Sequence, residues 1–519
     1  MLSRILTTTC AIALMATAAA AQDYSLTILH TNDAHARFEP ISKYDSDCSA
    51  EDNTAGDCCG GKGRLVTAVA EARARSNNSI LVDGGDQFQG TLFYTYYKGA
   101  MAAEFMNKLG YDAMTVGNHE FDDGPEVLAG FMNSLNFPIL MSNDVSGEPL
   151  LAGKLAKSTV IERGGEKIGL IGLTPQNTDE LASPGDNITF TDPSQAVQGE
   201  VDKLTADGVN KIIVLSHSGY GVDQLVAANT TGVDVIVGGH SHTLLSNTIE
   251  GAAGPYPTMV GNTAILSSYA YGKFLGELNV TFDDEGNVIS AVGEPILLDG
   301  TVAEDADTVA RVAELAIPLE AVRTKVIAQS AANIEGNRDV CRLMECEMGN
   351  LVADAMLDRV ADQGITIAIA NSGGLRASID AGDVTMGEVL TVLPFQNTLS
   401  TFQITGDVML AALENGVSDM AEVAGRFPQV AGITFTVDPA AEVGSRISDV
   451  MVGDAALDPA ATYGVVSNNY VRNGGDGYKM FKDAANAYDF GPDLADVTAE
   501  YMAAKGAYTP YTDGRITVK

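Results

Sequence analysis

Gly117-Asn118-His119-Glu120-Phe121-Asp122 follows a short apolar run, Ala113-Met114-Thr115-Val116. Such a run reads as a buried strand. The hexapeptide then stands where a strand stops and a loop begins, which is where open α/β sheets keep their chemistry. Asn118 offers a neutral oxygen donor. His119 carries an imidazole able to bind a metal or move a proton, and Asp122 is near enough in sequence to orient that ring. A Gly-Asn turn leading into a helix would account for the same residues without chemistry, so the rest of the chain has to decide.

Outward from this stretch the chain reads strand, loop, helix repeatedly. Residues 24–29 form a strand ending at His30-Thr31-Asn32-Asp33-Ala34-His35, and residues 65–74 are helical in pattern. Ile80-Leu81-Val82 runs into Asp83-Gly84-Gly85-Asp86. Residues 100–109 are helical, with Gly110 as the stop. Residues 168–173 are another apolar strand. Residues 211–215 end at Ser216-His217-Ser218-Gly219, and residues 233–237 end at Gly238-Gly239-His240-Ser241-His242. Continuous apolar runs separated by helices indicate buried sheets in an α/β layer structure. Residues 272–280 and 287–297 read as a closing hairpin.

Residues 305–328 turn helical, with Val309, Val312, Leu315, Leu319, Val322 and Val326 on one side. Pro318 is expected to kink or break this element. It reads as a bridge, which gives a first domain at 22–304, a bridge at 305–330 and a second domain at 331–519. Landmarks of the second domain are Asn337-Arg338-Asp339-Val340-Cys341-Arg342, Asn371-Ser372-Gly373-Gly374-Leu375-Arg376, Leu393-Pro394-Phe395-Gln396-Asn397 and Tyr470-Val471-Arg472-Asn473-Gly474-Gly475-Asp476-Gly477. Residues 366–370 form a strand running straight into the second of these.

A chain of 519 residues has room for two or three such domains, each with its own core. The formal charge of −37, spread along the whole length, repels nucleic-acid backbones and anionic lipid and excludes both as partners. Solubility accounts for most of the acidity. An anionic substrate would need local positive charge from metals or arginines.

Residues 1–21 read as an export signal: Arg4 begins it, residues 5–20 are the apolar run, and Ala19-Ala20-Ala21 is the cleavage region. The run is too short and alanine-rich for a spanning helix. The mature protein is therefore expected outside the cytoplasm, in the periplasm or secreted. Five cysteines remain after removal of Cys10. In an oxidising compartment Cys341 is expected to pair with Cys346, and Cys48 with Cys58 or Cys59, leaving one thiol over. A zinc–thiolate site lacks a CxxC pair and a nearby histidine.

All six histidines, His30, His35, His119, His217, His240 and His242, fall in the first domain, in or beside strand-end loops. With Asp33, Asp86 and Asn118 they make a set of nitrogen and oxygen donors without thiolates. That chemistry suits divalent ions such as zinc, manganese, cobalt or magnesium. Neither a random core nor a random surface would concentrate nearly all its histidines at strand ends. Arg338, Arg342 and Arg376 are cations in a chain with few, and guanidinium forks match phosphate oxygens.

The order Asp-x-His, Gly-Asp, Gly-Asn-His-Glu, a lone His, then Gly-His-x-His resembles the metallophosphoesterase superfamily. The second-domain landmarks narrow the resemblance to the 5′-nucleotidase family, over essentially the whole mature chain. The resemblance implies an α/β fold with an N-terminal four-layer α/β/β/α sandwich and an α+β C-terminal substrate domain. It implies two divalent ions (zinc, manganese or cobalt). Asp33, His35 and His242 would hold one, Asn118, His217 and His240 the other, and Asp86 would bridge them. Two such ions, about 3.5–4 Å apart, would hold a hydroxide and polarise a phosphoryl group for in-line attack. His119, oriented by Asp122, would face the substrate, while His30 is expected to be structural. By the same resemblance Phe395 and Tyr470 would sandwich the base, Asn371 would contact it and Asp476 would accept from ribose hydroxyls. Gly373 and Gly374 would let backbone approach the ligand.

The implied activity is release of phosphate from nucleoside 5′-monophosphates, with di- and triphosphates or UDP-sugars as further substrates. A rotation near the bridge would carry substrate to the metals. Alternatives on the same scaffold are 2′,3′-cyclic-nucleotide phosphodiesterase or 3′-nucleotidase chemistry, NAD or nucleotide-sugar pyrophosphatase chemistry, and, more remotely, hydrolysis of sulfur compounds. A non-enzymatic protein with a decayed site would not keep this ligand set. Three departures stand out, one of them the doubled cysteine Cys58-Cys59, which leaves the pairing open. His242 occupies a position where some members carry an amide, and Tyr470 one where animal members have phenylalanine.

Overall fold

Residues 24–31 begin a strand whose last six side chains, from Leu26 to Thr31, are all buried. Burial on both faces is what a continuous apolar run requires. A computed structural model describes residues 23–43, 45, 48–489 and 491–519; the expected export signal at 1–21 lies outside the described residues. The strand Tyr24–Thr31 pairs in parallel with Ser79–Asp83, which pairs with Ala113–Thr115, which pairs with Ile139–Leu140. On its other side it pairs antiparallel with Phe274–Phe282, and that strand with Val288–Leu297, the expected closing hairpin.

A second six-stranded sheet has a parallel centre of Glu166–Leu173, Ile212–Ser216, Val235–Val237 and Thr263–Leu266. Its edges, Ser158–Arg163 and Thr258–Val260, are antiparallel. The two sheets share one core, in which Leu26, Ile28, Ile80 and Val82 meet Leu170, Leu215, Val235 and Val237. Helices Lys62–Ala74, Ala100–Leu109 and Gly124–Ser134 cover the first sheet, and helices Pro193–Ala206 and Tyr220–Asn229 the second. The result is four layers, α/β/β/α. Ala100–Leu109 ends as its sequence predicts, at Gly110 with φ 69°.

The bridge differs from its expected form. The helix Ala306–Ala316 is capped by Asp305, which accepts from the Thr308 N–H, and Pro318 falls in a 3-10 turn at Ile317–Leu319. Helix resumes only for Glu320–Arg323. The helical run expected to reach 328 therefore stops at Arg323. Val326 belongs to the strand Val326–Ser330, which pairs with Gly382–Thr385 and Ala507–Tyr508. The expected apolar stripe is also broken: Val312 and Leu319 are buried, but Val309, Val322 and Val326 are exposed. Pairing with distant strands outweighs the local helical spacing there.

The C-terminal half carries a five-stranded sheet, with Ile367–Asn371 parallel to Thr462–Asn468 at its centre, and a four-stranded sheet around Ile433–Val437. Helices Glu347–Arg359 and Leu494–Lys505 pack together over one core, and Gly406–Gly416 packs over another. The central parallel pair ends at Asn371 and Asn468, so the Asn371 loop and the segment from Tyr470 to Asp476 leave the sheet side by side. Cys341 is bonded to Cys346 and Cys48 to Cys58, which leaves Cys59 as the free thiol among the described residues. No helix of the described residues is long and apolar enough to cross a membrane.

Candidate active site

Five parallel strands, three from the first sheet and two from the second, release their chains at one place. Thr31 leads to Asp33 and His35, Asp83 to Asp86, Thr115 to Asn118 and His119, Ser216 to His217, and Val237 to His240 and His242. Three donor groups result: Asp33 with His35 and His242; Asp86 with His217 and His240; and His35 with Asp86 and His119. Within each group the ligand atoms lie within 4.8 Å of one another. Asn118 joins the second group, its Oδ1 standing 2.9 Å from His240 Nδ1. The seven residues expected as metal ligands are thus brought together, with Asp86 shared between clusters.

The backbone is strained to do this. Asp33, His35, Asp86, His240 and His242 have φ of 50°, 46°, 60°, 70° and 52°. Non-glycine residues rarely adopt this region, and concentrations of such strain occur at functional sites. Gly117 is required by closeness instead, since a Cβ there would collide with Asp86 Oδ1.

The donor chemistry fits divalent ions. His35 Nδ1 donates to the Phe88 carbonyl at 3.1 Å, which leaves a lone pair on Nε2, and that nitrogen faces His242 Nε2 at 3.0 Å. His217 Nδ1 donates to the Gly84 carbonyl at 2.5 Å, so its Nε2 also points inward, 2.8 Å from Asp86 Oδ2 yet outside hydrogen-bond geometry. Asp33 Oδ1 lies 3.3 Å from His242 Nε2 and 3.8 Å from His217 Nε2. Backbone carbonyls that fix the tautomer of inward-facing imidazoles are the outer shell that metal-binding histidines use. Imidazole nitrogens that converge on one another and on carboxylates in a buried cage suit a divalent cation.

The electrostatics agree. Burial raises the Asp33 carboxyl, and despite opposition from His217 it stands at about 6. Burial would also raise Asp86, but His217 and His119 hold it well below the usual carboxylate range. Burial would lower His217, but Asp86 and Asp33 lift it to about 10. Burial pushes His35, His240 and His242 well below the ordinary imidazole value, helped by nearby cations. Three neutral imidazoles beside two carboxylates form a ligand set suited to divalent cations.

His119 stands at the edge of this cage, grouped with His35 and Asp86. Its Nδ1 meets Asp122 Oδ2 at 2.6 Å, and its ring stacks on Phe395 at 5.6 Å between centroids. Burial would lower this imidazole, yet Asp122 and Asp86 raise it. The Arg376 guanidinium reaches His35 Nε2 at 3.1 Å and lies over the Phe395 ring. Arg338 reaches the His240 carbonyl at 3.5 Å, and Arg342 the Val423 carbonyl at 3.2 Å. The Nε atoms of both are buried without a hydrogen-bond partner. Burial, and then mutual repulsion among these guanidiniums, lowers Arg342 strongly.

The remaining expected residues cluster beside them. Asn371 Nδ2 donates to Asp476 Oδ2 at 2.7 Å, and its Oδ1 accepts from Asn468 at 2.9 Å. Both ends of that amide are engaged, so Asn371 orients Asp476. Gly373 donates its N–H to the Gly425 carbonyl, and a Cβ on Gly374 would press on Asn371 Oδ1 at 3.3 Å. Tyr470 lies flat against Gly475, its hydroxyl 3.1 Å from Asp476 Oδ1. His30, expected to be structural, is buried away from the cage with Nε2 on the Tyr256 hydroxyl at 2.9 Å. Two residues escaped the sequence reading. Glu120 binds the backbone of both the Asp86 and Gly117 loops. Tyr271, at φ 61°, sets its ring edge-on to His242. A charged residue inside a buried strand-end motif was the available signal for Glu120; Tyr271 had none.

Comparisons with known proteins agree with this geometry. Residues 26–244 match the calcineurin-like phosphoesterase family model, and residues 326–483 match that of the 5′-nucleotidase C-terminal domain. The chain is 38% identical to the 5′-nucleotidase of Mus musculus over 96% of its own length and 91% of the mouse protein. It is 37% identical to the snake venom 5′-nucleotidase of Naja atra, over 95% of this chain and 98% of that one. The crystal structure of a 5′-nucleotidase precursor from Thermus thermophilus superposes with a TM-score of 0.91 at 41% identity, covering 95% of this chain and 99% of that one. The chain belongs to the 5′-nucleotidase family, with a calcineurin-like phosphoesterase domain followed by a 5′-nucleotidase C-terminal domain.

Proposed function

We propose that this protein is a metal-dependent hydrolase releasing phosphate from nucleoside 5′-monophosphates. The observation that carries the reading is the contact of Arg376 with His35, which sets a phosphate-type cation from the C-terminal half against the metal cage of the N-terminal half. Asp33, His35 and His242 would hold one divalent ion, and Asn118, His217 and His240 the other, with Asp86 between; zinc, manganese and cobalt all suit these donors. Bound there, such ions supply Lewis-acid charge to a phosphoryl oxygen and lower the pKa of water.

The chain's own residues do the rest. Arg338, Arg342 and Arg376 receive the phosphate oxygens, whose charge relieves the repulsion among the buried guanidiniums. Asp122 fixes the His119 proton on Nδ1, so Nε2 faces the substrate and holds a proton for the leaving oxygen. Phe395 and Tyr470 supply rings for the base, and Asp476, steadied by Asn371, accepts from the ribose hydroxyls. Because these groups come from both halves, a rotation about residues 305–330 would load the site and expel product. The sequence of residues 1–21 and the two disulfides support export, with the periplasm as destination.

The test is phosphate release from AMP by the purified protein, before and after chelation, with manganese, cobalt and zinc added back. Metal-dependent release is expected. Cleavage of UDP-glucose or a 2′,3′-cyclic nucleotide with no release from AMP would move the specificity. Two bound metals with no hydrolysis of any nucleotide would overturn the reading.

A further inference from the structure

Glu180 lies in a short helical turn, Thr178–Leu181, of the metal-binding half, yet three of its contacts are to the other half. Lys479 Nζ meets its Oε1 at 2.5 Å, Arg426 Nη2 approaches Oε2 at 3.7 Å, and the Tyr470 hydroxyl donates to its backbone carbonyl at 2.8 Å. In a chain with 31 basic and 68 acidic residues, two cations from the nucleoside side converge on one carboxylate across the domain boundary. The turn is also tied to the catalytic loop, because the Ser183 N–H donates to the Phe121 carbonyl, two residues beyond His119.

The Tyr470 hydroxyl makes this contact conditional. It accepts from the Asp476 N–H at 3.1 Å and has a single proton to give. Two acceptors compete for that proton: the Glu180 carbonyl at 2.8 Å and Asp476 Oδ1 at 3.1 Å. A ligand hydroxyl that donates to the Asp476 carboxylate satisfies that acceptor and frees the Tyr470 proton for Glu180. Phenylalanine at this position would keep the ring and lose the link.

We infer that Glu180 is a positioning residue that latches the nucleoside-binding half onto the metal-binding half, and that the Tyr470 hydroxyl couples the latch to occupation of the ribose site. This rests on the nucleotide reading above. It extends that reading by assigning closure to a charged contact outside the metal and phosphate groups. Bound nucleoside strengthens the interdomain contact, and by linkage the closed arrangement strengthens nucleoside binding by the same factor. The ion-pair part of the latch weakens with salt, and the hydroxyl part does not.

The experiment compares wild type with Glu180→Lys, Lys479→Glu, the double exchange, and Tyr470→Phe. Lys479 is largely exposed, so its reversal leaves folding intact. Readouts are the adenosine inhibition constant, kcat and KM for AMP, and the radius of gyration in solution with and without adenosine. Each single reversal is expected to weaken adenosine about threefold to tenfold and to enlarge the particle, and the double exchange to recover part of both, since Arg426 still faces position 180. Tyr470→Phe should bind adenosine more weakly and lose the adenosine-induced compaction. Wild-type inhibition and compaction in the single reversals, or no recovery in the double exchange, would overturn the latch while AMP hydrolysis stands. A wild-type protein that neither hydrolyses AMP nor binds adenosine would instead fail the nucleotide reading and take the ribose coupling with it.

Discussion

The carboxylate of Glu120 accepts the backbone N–H of Asp86 at 2.9 Å, so the residue that stands between the two donor clusters is held by its neighbour in the His119 turn. The same carboxylate takes the N–H groups of Gln87 at 2.8 Å, Phe88 at 3.2 Å and Gly117 at 2.7 Å. Four donors around one acceptor-only group leave no place for an amide NH₂. Glu120→Gln keeps the shape but turns a donor against donors, and each buried group left unsatisfied costs about 1–3 kcal/mol. The Asp86 loop should loosen, and metal affinity should fall about 10–100-fold, the usual effect of removing an outer-shell partner. Calorimetric metal titration reads this directly, and unchanged affinity would show that the loops hold their form without Glu120.

His119 and Asp122 make a second case. The 2.6 Å contact fixes both the tautomer and the direction of the ring. If His119 protonates the leaving oxygen, Asp122→Asn should slow AMP, whose ribose alkoxide leaves poorly, more than p-nitrophenyl phosphate, whose phenolate leaves without help. His119→Asn should cost AMP turnover about 10²–10⁴-fold, the range of general acid catalysis. Equal losses on both substrates would assign His119 to charge stabilisation instead.

Much of this arrangement was legible because metal binding restricts residue type and spacing together. Asp33 and His35, and His240 and His242, each sit two apart at the end of an apolar run, and few other roles require that pattern. The parallel strands were legible for the same reason, being apolar throughout. The strained backbone of those ligands was not, since φ is decided by the opposing loop; the Asp33 N–H, for example, is bound by the Gly85 carbonyl. Cys58 and Cys59 are adjacent, so only the direction of each side chain in the folded loop selects Cys58, fully buried, as the partner of Cys48. Val326 kept the helical spacing of its neighbours and was claimed by a non-local strand. The role of Glu180 depends on chain segments that meet only after both halves have folded.

The Cys341–Cys346 bond closes a loop that contains Arg342, and Cys346 also caps the helix Glu347–Arg359 by accepting from the Gly349 N–H. Opening a loop this short removes about 2 kcal/mol of stability on the chain-entropy estimate. A Cys341→Ser/Cys346→Ser variant should therefore unfold at lower denaturant. It should also raise KM for AMP more than it lowers kcat, since Arg342 loses its fixed position while the metal cage is untouched. A kcat loss with unchanged KM would place Arg342 in the chemical step rather than in binding.

His30 sets an acid limit on stability that is separate from the metal site. Burial holds its imidazole down to about 3 in the folded protein, while an unfolded histidine protonates near 6.5. Between those values the unfolded chain binds a proton that the folded chain refuses, so stability is lost as pH falls below about 6.5. The cost at pH 5 is about 2 kcal/mol. The ring is stacked on Tyr256 and lies over Gly276, where even a Cβ would collide with it, so there is no room for the water that a charged imidazole would need. His30→Phe keeps the ring and removes the titration. The variant should be less stable at pH 7.5, through the stranded Tyr256 hydroxyl. Its loss of stability between pH 7.5 and pH 5 should be smaller than that of the wild type by the same 2 kcal/mol or so, measured by denaturant unfolding of metal-free protein. Equal losses in the two proteins would mean that His30 finds a way to hold its proton in the fold, and that the acid sensitivity belongs to the depressed histidines of the cage, His35, His240 and His242.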